Sequence, residues 1–317
     1  MKKVLIGIGG LLALAILALV VKFFVLSPVV RAAPDVHAPT SAEAIARGKY
    51  LADHVAQCTT CHSTVDEKVP GDVVVEAKRG AGRMYPKEAG FPGNIRALNL
   101  TPDKETGIGS WTDGEVLRAM REGIGRDGRA LFPLMPYQNF ANLTDEDALA
   151  IIAYLRSLPA IKNDPGPATQ IDFPVSMFIR AAPKPVEAPP PPPPADPVGR
   201  GLWLIQMESC GMCHDTMDSR HQPIEGKHLA GGQEFKIAAG TVYASNITSD
   251  KSTGIGAYTD EELLKVLNEG VTKNGRPLYL MPWAALKGLT DDDKRAIVAA
   301  LRTIPPVNNT VPASAIR

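Results

Sequence analysis

Hydropathy divides the chain into one continuous apolar run and a series of short amphipathic stretches. After Lys2 and Lys3, every position from Val4 to Val21 is apolar or glycine, about 27 Å as a helix at 1.5 Å per residue. Continuing through Lys22 to Leu26 brings the run to about 34 Å, enough to cross a bilayer core while the Lys22 ammonium snorkels to the headgroups. Ser27 and Pro28 stop the helix. A cleaved leader has an apolar region of only about 7 to 15 residues, so residues 1–30 are predicted to be an uncleaved transmembrane anchor, although Ala32 and Ala33 would suit a cleavage site. With Lys2 and Lys3 held inside, the chain beyond Pro28 faces the outer side of the membrane.

Beyond residue 40 the apolar positions recur at helical spacing. Ser41 to Val55 reads as a first helix and Gly201 to Met207 as its counterpart. Thr112-x-x-Glu115 and Thr259-x-x-Glu262 are capping boxes. They open helices whose apolar faces are Val116, Leu117 and Met120, or Leu263, Leu264 and Leu267. Gly123 and Gly270 close them. A last helix runs from Asp145 to Leu158 and again from Asp291 to Ile304, capped by Thr144 or Thr290 and stopped by Pro159 or Pro305. No strand pattern competes, so the fold class expected is all-α.

These paired helices belong to a duplication. Asn99-Leu-Thr-Pro-Asp-Lys-Glu-Thr-Gly-Ile-Gly109 returns as Asn246-Ile-Thr-Ser-Asp-Lys-Ser-Thr-Gly-Ile-Gly256, Leu134-Met135-Pro136 as Leu280-Met281-Pro282, and Leu143-Thr144-Asp145 as Leu289-Thr290-Asp291. The units are placed at 41–160 and 197–308. Between them, residues 161–196 contain the unbroken run Pro189 to Pro194, a polyproline II spacer about 19 Å long. Phe173, Met177, Phe178 and Ile179 just upstream are apolar enough to pack on a unit.

Composition narrows the chemistry. Lys plus Arg number 34 and Asp plus Glu number 34, so there is no basic field to recruit nucleic acid. The four cysteines fall as two close pairs, too few for a disulfide framework. Cys58-Thr-Thr-Cys61-His62 and Cys210-Gly-Met-Cys213-His214 are both Cys-x-x-Cys-His, the attachment pattern of c-type haem. Two thiols one helical turn apart reach both vinyl groups on one porphyrin edge, and the adjacent imidazole falls beneath the iron. A thioredoxin-type dithiol or a shared four-cysteine zinc site would also use Cys-x-x-Cys, but neither explains a histidine after each pair. Two covalently bound haem c groups are therefore expected, held by Cys58, Cys61, Cys210 and Cys213, with His62 and His214 as proximal iron ligands.

The duplication also selects a sixth ligand. Met120 pairs with Leu267 and Met84 has no clear counterpart, whereas Met135 and Met281 coincide beyond a glycine-rich loop, each followed by a proline. Two core methionines would be the plain alternative. Histidine and methionine ligation raises the reduction potential and leaves no open position, which suits electron transfer over substrate chemistry. Trp111 with Tyr258, and Arg129 with Arg276, also coincide. They suit either contacts to haem propionates or ordinary core and loop roles. His54, His37, His221 and His228 are unpaired between the units and read as surface or supporting residues.

With these motifs in place, the sequence resembles the membrane-anchored cytochrome c subunits of bacterial periplasmic alcohol, aldehyde and gluconate dehydrogenases. The likeness covers both units and rests on the two Cys-x-x-Cys-His motifs, the Thr-Gly-Ile-Gly loops and the Leu-Met-Pro ends. Those subunits commonly carry three haem units, and this chain has two copies. The resemblance implies two tandem class I cytochrome c-like domains after the transmembrane helix, in the cytoplasmic (inner) membrane with both units facing the periplasm. It implies a dehydrogenase catalytic subunit as electron donor and a quinone, another cytochrome or a terminal oxidase as acceptor, with no catalysis by this chain alone. A free-standing tethered shuttle and a di-haem peroxidase or thiosulfate-oxidising enzyme are the competing readings.

Overall fold

The computed structural model describes every residue except Met1, Arg220, Ala238 and Arg317, so Met1, where the expected anchor begins, lies outside the described residues. Helix α1 (Lys2–Val20) runs on through a π-helical turn, Val21–Val25. Together they make an apolar helix over Lys3–Val25 that the rest of the chain leaves uncovered along most of its length, Phe23 being the buried exception. By length and composition it is a candidate membrane anchor.

The first unit opens with α2 (Ala42–Tyr50), capped by Ser41 Oγ accepting from Ala44 N. It continues through a π-helical turn, Leu51–Val55, to the short helix α3 (Cys58–Cys61). Strands β1 (Arg83–Tyr85) and β2 (Gly93–Ala97) follow, then α4 (Asp113–Glu122), α5 (Tyr137–Phe140) and α6 (Asp145–Ser157). Both bonds of the expected capping box form at Thr112 and Glu115, and Gly123 closes α4 at φ 72°. Helix α2 crosses α6 so closely at Gly48 that a Cβ there would lie 1.8 Å from the Ala150 carbonyl oxygen. Leu51, Val55, Leu143, Ile151 and Ile152 are fully buried around that crossing.

The connecting segment is not bare spacer. Gln170–Ile171 forms β3, and Val175–Phe178 forms the single turn α7. The second unit then repeats the first with α8 (Pro197–Met207), α9 (Cys210–His214), β4 (Glu234–Ile237), β5 (Gly240–Tyr243), α10 (Asp260–Glu269), α11 (Trp283–Leu286) and α12 (Asp291–Thr303). Thr259 with Glu262 forms the matching capping box. Gly201 makes the matching crossing, its Cβ position 1.9 Å from the Ala296 oxygen. An arginine fastens each crossing: Arg47 grips Asp147 at 2.9 and 3.0 Å, and Arg200 grips Asp293 at 2.9 Å through both nitrogens.

The all-α expectation is corrected here, because the fold carries two three-stranded antiparallel sheets, β1-β2-β3 and β4-β5-β6, with β6 at Ala315–Ile316. Their strands span only two to five residues, too short for an alternating pattern to stand out. Each sheet also takes its third strand from outside its unit's core. Gly93 and Asn94 pair with Ile171 and Gln170 of the connecting segment, and Gly240 and Thr241 pair with Ile316 and Ala315 near the C-terminus. Such long-range pairing leaves no local trace.

Candidate functional site

The segment after α2 delivers the first motif. Gln57 adopts the left-handed conformation at φ 49° and turns the chain into α3, so Cys58 and Cys61 sit on one short helical turn with His62 at its end. Ser209, at φ 57°, does the same before α9. Asparagine, aspartate and glycine populate this region most readily, so two such turns at other residues mark a shared geometric demand rather than local preference.

The duplicated Asn-to-Gly segment is a knot that orients the histidines. Asn99 Nδ2 donates to Ile161 O at 2.7 Å and to Thr106 Oγ1 at 3.1 Å, while its Oδ1 accepts from Thr101 N and Oγ1 at 2.9 and 2.7 Å. Asn246 repeats these bonds with Val307, Thr253 and Thr248. The residue before each asparagine presents its carbonyl to the motif: His62 Nδ1 donates to Leu98 O, and His214 Nδ1 to Ser245 O, both at 2.7 Å. A backbone acceptor on Nδ1 fixes the tautomer and frees Nε2 to bind a metal. Loss of solvation lowers the pKa of both imidazoles, which favours the neutral, ligating form.

Against His62 lies a cavity of about 560 Å³ lined by Cys58, Cys61, His62 and Met135, with Ile95, Ile108, Val116 and Phe140 among its apolar walls. That size and lining match a small-molecule or cofactor pocket. Arg96 and Arg129 line it too; Arg96 Nη1 donates to Gly166 O at 2.9 Å and lies 3.6 Å from Asp164, while its Nε is buried without a partner. These residues fit a covalently attached haem. Met120, the alternative methionine, also touches the wall, as does Trp111. In the second unit Cys210 and Met281 stand where Cys58 and Met135 do, half-buried against the core. The prolines after the two methionines share one conformation, at ψ 54° and 55°. Tyr258 and Trp111 are tied down alike, each backbone oxygen accepting from an arginine, Arg302 or Arg156, at 2.6 Å.

The rival cysteine chemistries find no support. None of the four cysteines is in a disulfide. Burial pushes the Cys58 thiol up to about 12, opposite to the depressed value of a reactive dithiol. Among the described residues no group of three or more His, Cys, Asp or Glu converges to hold an ion.

The sequence reading missed the contact between the units. Tyr50 donates to Asp293 and accepts from Thr290 N at 3.3 Å. His54 Nδ1 donates to Ala285 O at 2.9 Å, and Gly71 N donates to Tyr279 O at 3.2 Å. Gln57 donates to Glu208, and Asn139 Nδ2 donates to Ser209 Oγ at 3.0 Å. The residues leading into the two cysteine motifs therefore meet. The Cys213 thiol, raised to about 11 chiefly by burial, is also raised by the charges of Asp72 and Cys61 from the first unit.

Residues 45–159 match the cytochrome c family, so the first unit is a cytochrome c domain. The whole chain is similar to the cytochrome subunit of fructose dehydrogenase from Gluconobacter japonicus, with 33% identity over 87% of this chain and 56% of that protein. It is likewise similar to the cytochrome c subunit of gluconate 2-dehydrogenase from Pantoea cypripedii, at 31% over 82% and 59%. A diheme c-type cytochrome of Cereibacter sphaeroides matches at 25% over 93% of this chain and 97% of its own length. The chain thus spans somewhat more than half the length of the dehydrogenase subunits it matches, and nearly all of the diheme protein.

Proposed function

We propose that the chain is a membrane-tethered carrier of two haem c groups that receives single electrons from a periplasmic dehydrogenase subunit and passes them to a quinone, another cytochrome or a terminal oxidase. Haem, when bound, supplies the one-electron iron couple. Cys58 and Cys61 would hold one group, with His62 and Met135 as ligands to its iron. Cys210 and Cys213 would hold the other, with His214 and Met281. Leu98 and Ser245 aim the imidazoles, and methionine ligation by Met135 and Met281 would raise the potential.

The observation that carries this reading is the contact between the units beside the two motifs, where Gln57 before Cys58 meets Glu208 before Cys210, and Asn139 of α5 meets Ser209. It supports reading the two units as one docked body rather than as independently moving carriers. A shuttle that swings on the proline spacer would have to break those bonds together with the Tyr50 and His54 contacts. Pyridine haemochrome analysis should return two haems per chain, and one per chain would overturn the reading. A dehydrogenase subunit should copurify in mild detergent, whereas isolation without any partner would favour the free shuttle. Carbon monoxide binding to the reduced protein would reveal an open iron and revive the enzymatic alternative.

A further inference from the structure

The connecting segment does more than join the units. Its strand β3 pairs with β2, Asp172 N donates to Pro92 O at 2.8 Å, and Lys87 Nζ meets Asp172 at 2.5 Å, so residues 170–172 are stitched to the first unit. A few residues later the same segment grips the outer end of the apolar helix. Arg180 Nε donates to Phe23 O at 2.6 Å and its Nη2 to Ser27 O at 2.9 Å. The Phe178 ring meets Phe23 edge-on, centroids 5.5 Å apart. Phe23 is 7% exposed, buried among residues more than 150 positions away in sequence.

Around this clasp the surface is apolar and uncovered. Phe173 is 76% exposed and Phe178 53%, and it is a patch of such side chains, not a single one, that marks an interaction surface. Phe24, Val25, Leu26, Val29 and Val30, along the chain that leaves the helix, are exposed as well. The exposed positions from Phe24 onward continue the apolar helix past Lys22, toward the end of the segment long enough to cross a membrane. Aromatic side chains with a nearby cation are the residues that settle at a membrane boundary.

We propose that Phe173 and Phe178, with the exit residues Phe24 to Val30, form a second membrane contact that seats the first unit in the headgroup and acyl boundary of the outer leaflet. This rests on the anchor reading. The consequence is positional. Arg118 Nη1 donates to Arg31 O at 2.8 Å, and Arg118 Nη2 to Gly125 O at 2.9 Å, so the loop lining the first cavity is tied to chain only five residues past Leu26. Five residues span at most about 18 Å. The seat would therefore hold the cavity of the first unit close to the outer leaflet.

The test uses the full haem-loaded protein in phosphatidylcholine and phosphatidylglycerol vesicles, carrying one nitroxide label at a time on Phe173→Cys, Leu12→Cys or Ala313→Cys. Power-saturation measurements compare collisions with oxygen and with a water-soluble nickel chelate. The label at 173 should follow the label at 12, with oxygen access several-fold above nickel access, while the label at 313 shows the reverse. A 173 label that behaves like 313 while 12 is in lipid overturns the seat and leaves the anchor standing. A 12 label in water overturns both. A photoreactive benzoylphenylalanine in place of Phe173, which adds no thiol, should acquire a phospholipid mass on illumination. Reaction with water or protein alone would count against the seat.

Discussion

The two units hold their histidines identically, with the same asparagine knot and the same 2.7 Å bond to a backbone carbonyl, yet the helices leading into them differ. From Gly48 to Cys58 the chain takes one residue more than from Gly201 to Cys210. The first unit absorbs it in the π turn Leu51–Val55, closed by Ala56 N donating to Leu51 O at 2.7 Å, while α8 stays α-helical over its whole length. A π turn is the usual trace of a single inserted residue. Here the face it lies on presents Tyr50, His54 and Gln57 to the second unit. The inserted turn also places Asp53 in a buried cluster, accepting from Lys49, Thr59, Arg79 and Tyr154, that the second unit lacks at the equivalent positions. Duplication copied the cofactor cradle, and one extra residue goes with the copy that carries the docking face.

That contrast can be broken most severely at the matched glycines. Gly48→Val forces side-chain atoms onto the Ala150 carbonyl and should cost about 3 kcal/mol or more in the first unit alone. Gly201→Val should do the same to the second, read as separate shifts in calorimetry. A common shift in both variants would mean that the docked units unfold as one. Met135→His and Met281→His should each lower the potential of one haem and remove about half of the methionine-to-iron absorption band, with the other haem unchanged in redox titration.

A smaller effect tests the cluster that only the first unit has. Asp53→Ala should destabilise that unit by roughly 2 kcal/mol in thermal melts at neutral pH, since it removes the buried acceptor shared by Thr59, Tyr154 and Arg79. Burial pushes the Asp53 carboxyl up, but Lys49, Thr59 and Arg79 together hold it below the usual carboxylate value. A carboxyl depressed in the folded state stabilises fully above its unfolded pKa of about 4 and ceases to do so as the pH falls through the lower folded value. The gap between wild type and variant should therefore close on acidification below about pH 4, and a gap that widened would contradict the assignment. Smallest of all, Tyr50→Phe removes one interfacial hydroxyl and should cost about 1 kcal/mol. Its signature is a weaker coupling between the two calorimetric transitions with both haems retained.

What the sequence determined by itself was whatever neighbouring residues encode together. The duplication, both Cys-x-x-Cys-His motifs, the capping boxes at Thr112 and Thr259, the glycine stops and the apolar run from Val4 were legible because each depends on side-chain identity at short, fixed spacing. The tertiary structure decided the rest. The strands escaped notice because Gly93 pairs with Ile171, far along the chain, and a two-residue strand has no period to read. The carbonyls of Leu98 and Ser245 that aim the histidines belong to the backbone, so no residue type announces them. The docking of the units depended on where one inserted residue turned a helix face. A backbone acceptor, a distant partner and a rotated face are properties of chain placement in space, and side-chain chemistry at short range carries no record of them.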